Sequence, residues 1–291
     1  MDSELLRWLY HRLLHDRNFS HTPDCTYSDG LIALIFFMAV LSNRSGRWAC
    51  DRRHWPLWCR RLKWISYSQF NKRLKTASIA ALIARLNAEL RQRLGRSCDK
   101  VADGKPLIVG GFSHDPDARW GKAPDGWAKG YKLHVIVDSL GAIESFDVTA
   151  LDAGEATVLR QLIARTNLAG VKLRADANYD SNSTYRVAAN AHSRLIAPRR
   201  KPRTGLGHHP QHPDRLAAIA ELEQSQDALS NHKRHRNRVE QILAHLTNLP
   251  CGLWALPNFV RRLPRVRRWV AAKITLYHLQ HVLSLYAIRA A

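Results

Sequence analysis

The stretch KVADGKPLIVGG (100–111) is where the sequence changes period, and it decides the fold. Before it, apolar residues fall in runs of helical length or spacing: LLRWLYHRLL (5–14), LIALIFFMAVLS (31–42) and SIAALIARLNAELRQRL (78–94). From Lys100 the chain reads as strands. GYKLHVIVDSLGAIESFDVT (130–149) is a hairpin, with Leu133, Val135 and Val137 alternating against Lys132, His134 and Ile136 and Asp138–Gly141 turning the chain. A helix is expected over 155–168, a strand in VKLRADANYD (171–180), a helix over 181–192 and a last strand in RLIAPRRK (194–201). The order is β-β-β-α-β-α-β, three antiparallel strands followed by α/β units that add parallel ones.

That order is the ribonuclease H-like layout, an α/β fold with a mixed sheet. Working outward, residues 1–97 form an α-helical N-terminal region. Its stretch 45–75 is basic and holds Trp48, Trp55, Trp58 and Trp64, and Ser66–Lys75 reads as a short recognition helix with its own N-cap. We expect this region to bind DNA, although a helical support for a catalytic core reads much the same. Residues 98–291 are expected to form the catalytic domain. A Pro/Gly/His-rich loop spans 202–215, where His208, His209 and His212 read as loop residues near phosphates, and helices cover 215–249 and about 264–288.

The chain has 291 residues, 45 Lys and Arg against 24 Asp and Glu, and a net charge of +21. A hydrophobic share of 45% supplies a full core and argues against a disordered basic tail. So large a surplus of one sign opposes compaction, and a polyanion relieves it; nucleic acid is the expected partner, ahead of an anionic membrane surface or an ordinary basic enzyme. The longest apolar run, Leu31–Leu41, is about half of a ~20-residue membrane span, and no signal peptide is read in the first residues. Cys25, Cys50, Cys59, Cys98 and Cys251 form no framework, which suits a reduced, cytoplasmic chain. Cys50, His54 and Cys59 look like half a zinc site with no second pair at finger spacing.

After Glu240 there is no Asp or Glu, while Arg261, Arg262, Arg265, Arg267, Arg268, Lys273 and Arg289 follow. A surface built for a polyanion sheds carboxylates, so those that remain need a reason. Three stand out. Asp103 lies on the first strand, and Asp176 lies at the carboxyl end of the fourth, its neighbour in the expected sheet. Glu240 flanks the apolar stripe Val239, Ile242, Leu243, Leu246 and Leu249 of a later helix, one turn beyond Arg236. Three converging carboxylates repel one another unless hard cations intervene, and two Mg2+ or Mn2+ ions suit an all-oxygen set and in-line displacement at phosphorus. Lys132 and His134 share one strand face that looks toward DNA or is simply the open side of the sheet. Arg261–Lys273 alternates bases with apolar residues, an amphipathic helix suited to the DNA backbone through Arg261, Arg262, Arg265 and Arg268.

Asp103-Gly-Lys-Pro-Leu, Gly130-Tyr-Lys-Leu-His134, Asp176-Ala-Asn-Tyr-Asp180 and Arg236-Asn-Arg-Val-Glu240 together resemble the landmarks of DDE transposases of the bacterial insertion-sequence IS4/IS5 type. The resemblance runs from about 100 to 288. It implies a ribonuclease H-like catalytic domain, two divalent metals, cleavage at element ends and strand transfer, with Asp103, Asp176 and Glu240 as the metal-binding triad. It also implies binding of double-stranded DNA, both terminal inverted repeats and target, by a homodimer at the bacterial nucleoid. The chain departs from the family's Tyr-x2-Arg-x3-Glu-x6-Lys signature at Lys233 and Thr247, which touches DNA-end contacts and leaves the triad intact. A nuclease of the same fold that cuts without joining, or a DNA-binding protein with a vestigial site, are the competing expectations.

Overall fold

The computed structural model describes residues 2–20, 26–202, 204–206, 208–248, 253 and 256–290; Cys25, Leu249 and Cys251, named above, lie outside them. Six helices come first: α1 (Asp2–Leu14), α2 (Arg17–Ser20), α3 (Asp29–Leu41), α4 (Gly46–Ala49), α5 (Tyr67–Arg73) and α6 (Ala77–Arg93). Strands β1 (Asp99–Ile108), β2 (Arg119–Ala123), β3 (Gly126–Asp138) and β4 (Ile143–Ala150) follow. Then come α7 (Glu155–Arg165), β5 (Lys172–Arg174), α8 (Asn182–Asn190), β6 (Arg194–Ile196), α9 (Pro213–Gln224), α10 (Gln226–Asn248) and α11 (Leu263–Ala290). Among the described residues, no helix is long and apolar enough to cross a membrane.

The chain divides into two compact units, Met1–Arg93 with Leu246–Ala291, and Leu94–His245. The expected division, 1–97 against 98–291, therefore needs correcting at its far end: α11 packs on α3 and α6, with the N-terminal helices. An amphipathic stripe states that a helix is packed and leaves the partner open. Lys273, expected on a basic outer face, is buried in this unit, its Nζ 2.9 Å from Val40 O and 2.8 Å from Asn43 Oδ1. It satisfies carbonyl groups at the end of α3, where a cation also meets the negative end of the helix dipole.

In this first unit α3 is apolar nearly all round, and every residue from Asp29 to Leu41 is buried, as expected of a central helix. Ser28 caps it, its hydroxyl accepting from Leu31 N at 3.2 Å. Ser66 caps α5 in the same way through Gln69 N at 3.3 Å. Burial pushes the Cys50 and Cys59 thiols up to about 12, so both stay protonated at neutral pH.

The second unit is built on a mixed sheet. β3 pairs antiparallel with β1 and β4, and β1, β5 and β6 run parallel, giving the order β4-β3-β1-β5-β6 of the ribonuclease H-like fold. The sequence reading had five strands; the sixth, β2, pairs with the opening residues of β3. Alternation sorts the sheet into two faces. Ala102, Ile136, Leu173 and Leu195 share one face with Leu159, Leu162 and Ile163 of α7 and Tyr185 and Ala188 of α8. Val101, Asp103, Val135 and Arg174 fall on the other. There α10 passes close enough for His232 and His235 to feel the charge of Arg174, and His235 that of Asp99.

Candidate active site

Asp103 is held by β1, opposite Val135 of β3, on the face that α10 crosses. Its Oδ1 accepts from Gly104 N at 2.8 Å. Burial pushes its carboxyl up to about 6; Gly104 N–H and Arg236 pull it down, while Asp176 and Glu240 push it further up. Asp176 leaves the end of β5 and opens a single 3-10 turn, Ala177–Tyr179. Its oxygens accept from Asn178 N at 2.9 Å and Asn178 Nδ2 at 3.2 Å. Burial raises its pKa too, with Glu155 adding to the rise and Arg236 opposing it.

Glu240 stands on the exposed side of α10, with 62% of its side chain accessible and Arg236 Nη2 at 3.8 Å from Oε1. Tyr179 is buried among the carboxylates, its phenol raised well above the usual value by burial, Glu155, Asp103 and Asp176. The sheet and α10 thus bring Asp103, Asp176, Glu240 and Arg236 into mutual electrostatic reach. They do not close the expected cage: among the described residues, no three His, Cys, Asp or Glu side chains are grouped tightly enough to hold an ion. The reason lies on α10, where Glu240 turns along its own helix toward Arg236 and water.

The donor set still fits hard divalent cations. It is all oxygen, two of its carboxyls are pushed toward protonation, and a cation between them relieves both burial and repulsion. Residues 96–279 match the family described as the transposase DDE domain, which is more than half of the chain. The chain belongs to that family. Among solved structures, the piggyBac transposase synaptic complex with hairpin DNA, determined by cryo-EM, is similar to the chain at 12% identity and a TM-score of 0.49, covering 98% of this chain and 73% of that one. A search of curated proteins finds no match.

The transposase DDE domain places the other sequence candidates unevenly. Lys132 and His134 do share a face, but it is the one α7 covers. Lys132 is buried with its Nζ 2.7 Å from Glu155 Oε1. His134 is 2% exposed, with Nε2 2.9 Å from Thr149 Oγ1, and burial pushes its pKa down to about 4. Neither offers a free cation to a DNA surface, because a strand at the centre of a sheet has both faces packed. Lys233 is exposed on α10. Arg262 and Arg265 are exposed, whereas Arg261 is half-buried and spends Nη1 on Pro257 O at 2.8 Å and Val260 O at 2.9 Å. Arg268 is half-buried, its pKa lowered by burial and by Arg265.

Sequence reasoning missed Glu155. It opens α7, bonds Lys132, and contributes charge to both Asp176 and Tyr179. Its only signal in the sequence is an acid in the first turn of a helix, which usually means nothing more than a favourable dipole. Asp180 is buried and holds Arg215 Nε at 2.6 Å and Nη2 at 2.7 Å, which ties the α8 approach to α9.

Proposed function

We propose that this protein is a DNA transposase that cleaves at the ends of its element and transfers the freed 3′ ends to target DNA. The observation that carries the reading is the electrostatic reach of Arg236 to Asp103, Asp176 and Glu240, in a chain of the transposase DDE family with a net charge of +21. The three carboxylates would hold two Mg2+ or Mn2+ ions, which supply Lewis-acid stabilisation of the attacking and leaving oxygens at phosphorus. The chain's own residues do the rest. β1 fixes Asp103 on a strand, the 3-10 turn after β5 carries Asp176, α10 carries the third on an exposed turn, and the Arg236 guanidinium, paired to Glu240, is placed to orient that carboxylate or a phosphate. Tyr179 lends no proton at neutral pH and is buried within electrostatic reach of Asp103 and Asp176.

Double-stranded DNA is the partner this chemistry needs, terminal inverted repeats first and target second, bound by a homodimer. Exposed Lys233, Arg262 and Arg265, together with the basic tryptophan-bearing stretch before α5, are the contacts we assign to the duplex. The same site serves both steps, since each is a displacement at phosphorus. Labelled element ends incubated with purified protein and Mg2+ should yield cleaved and then joined products on a denaturing gel. Cleavage without joined product from pre-cut ends would instead favour a nuclease. Asp176→Asn should abolish both reactions while duplex binding stays within a few-fold; unchanged cleavage would defeat the triad assignment.

A further inference from the structure

The hairpin formed by β2 and the start of β3 carries surface aromatics that the catalytic reading does not use. Its register pairs Trp120 with Lys129 and Lys122 with Trp127, so these four side chains alternate on one face. The opposite face is small and anchored. A Cβ on Gly121 would lie 2.7 Å from Leu151 O, one on Gly130 would strike Leu107 O, and Ala123 is buried. With that side fixed against β1 and the end of β4, the Trp/Lys side is directed away from the core. Trp120 is 52% and Trp127 76% exposed, Lys122 is exposed, and Lys129 is half-buried with its Nζ 2.6 Å from Ser113 O. Phe112, fully exposed, sits next to Gly111, whose Cβ position is 3.4 Å from the Trp120 ring.

We propose that this hairpin face binds unpaired nucleotides of DNA, with Trp120 and Trp127 stacking on bases and Lys122 drawing the phosphates. The inference rests on the transposase reading and names where the substrate's opened strand runs. Two chemistries are interleaved here: flat π surfaces, which only unpaired bases can meet face to face, and cations for the backbone between them. The diagonal placement of the two tryptophans sets them roughly 7–8 Å apart, which admits one base in contact with both rings. A second copy of this chain is a poorer occupant, since each copy carries +21 and the hairpin's only acid between Arg119 and Gly130 is Asp125. Position supports the same occupant. Trp127 and Lys129 share the alternation of Val135, the partner of Asp103, so the patch lies on the side of the sheet that bears Asp103. Lys129 and Val135 stand six positions apart on β3, a span of about 20 Å, and about half a dozen nucleotides cover it.

The test is binding of a single-stranded oligonucleotide carrying 2-aminopurine, compared with a blunt duplex, by the full chain and four variants. Wild type should quench the 2-aminopurine and bind the strand. Trp120→Ala with Trp127→Ala should relieve the quenching and weaken strand binding about tenfold or more, with duplex affinity within about twofold and an unchanged melting temperature. Trp120→Phe with Trp127→Phe should recover most of the affinity, and Lys122→Gln should flatten its salt dependence by about one unit of slope. No quenching by wild type overturns the proposal, as does equal loss of strand and duplex binding, or a drop in sedimenting mass of the DNA-free Ala variant, which would assign the face to a second copy. Asp176→Asn separates this from the proposed function: it should bind and quench as wild type does. A wild type that quenches through its tryptophans yet never cleaves would remove the transposase reading and leave the strand site standing.

Discussion

Arg236 Nη2 stands 3.8 Å from Glu240 Oε1, one turn away on α10, and the same guanidinium holds down the carboxyl pKa of both Asp103 and Asp176. One cation therefore acts electrostatically on all three members of the proposed triad. Arg236→Gln should push Asp103 above about 6 and shift the pH at which divalent ions bind upward, since only the ionised carboxylate is a ligand. Titration of Mn2+ affinity against pH reads this without any DNA. A half-saturation pH that stays where it was would show that Arg236 acts on Glu240 alone.

The Asp103 shift also has a sign for stability. Its folded pKa lies above the unfolded one, so the protonated form stabilises the fold fully below about 3.8, and that contribution disappears as pH rises through about 6. Asp103→Asn should then melt above wild type at pH 7.5, by about 1–3 kcal/mol, and match it near pH 3.5. Urea denaturation at the two pH values measures the difference. An advantage of equal size at both would mean that burial of the charge is not its origin.

Much of this arrangement was legible in the sequence, and the gaps have identifiable causes. Alternation in 130–138 gave the central strand and put Lys132 and His134 on one face, yet alternation is silent on which face a helix will cover. RWGKA, the five residues of β2, is too short for a period to show, and its two faces become distinct only when Gly121 and Gly130 meet backbone oxygens. Asp103 and Asp176 were readable because each ends up beside a strand the topology makes adjacent. Glu155 was not, because its proximity to Asp176 is a product of how α7 meets the sheet. The Trp/Lys face of the hairpin had the residues but not the register.

Lys132 and Glu155 form a largely buried pair at 2.7 Å, and breaking it should cost more than removing it. Glu155→Gln leaves a buried ammonium without its partner, and we expect a loss of about 1–3 kcal/mol. Lys132→Met combined with Glu155→Gln should recover much of that loss. Both variants lack the Glu155 charge beside Asp176, so its pKa should fall in each. A double-mutant cycle in denaturant tests the first statement, and a carboxyl titration by NMR the second. Additive losses would mean the two side chains contribute separately.

His232 is buried on α10 two turns before Glu240, and neither ring nitrogen has a hydrogen-bond partner. Burial pushes its pKa down to about 4, with Arg236 and Arg174 adding to the fall. The unfolded chain therefore takes up a proton below about 6.5 that the folded chain refuses until about 4, so stability falls as pH drops through that window. His232→Leu removes the group that titrates and an unpaired polar ring together. Relative to wild type it should be stabilised at pH 7, with a further gain of about 1–3 kcal/mol appearing by pH 4.5. If the wild-type and variant stability curves run parallel from pH 7 to 4.5, the ring is charged in the folded protein and has an anionic partner there, Asp227 being the nearest acid along the helix.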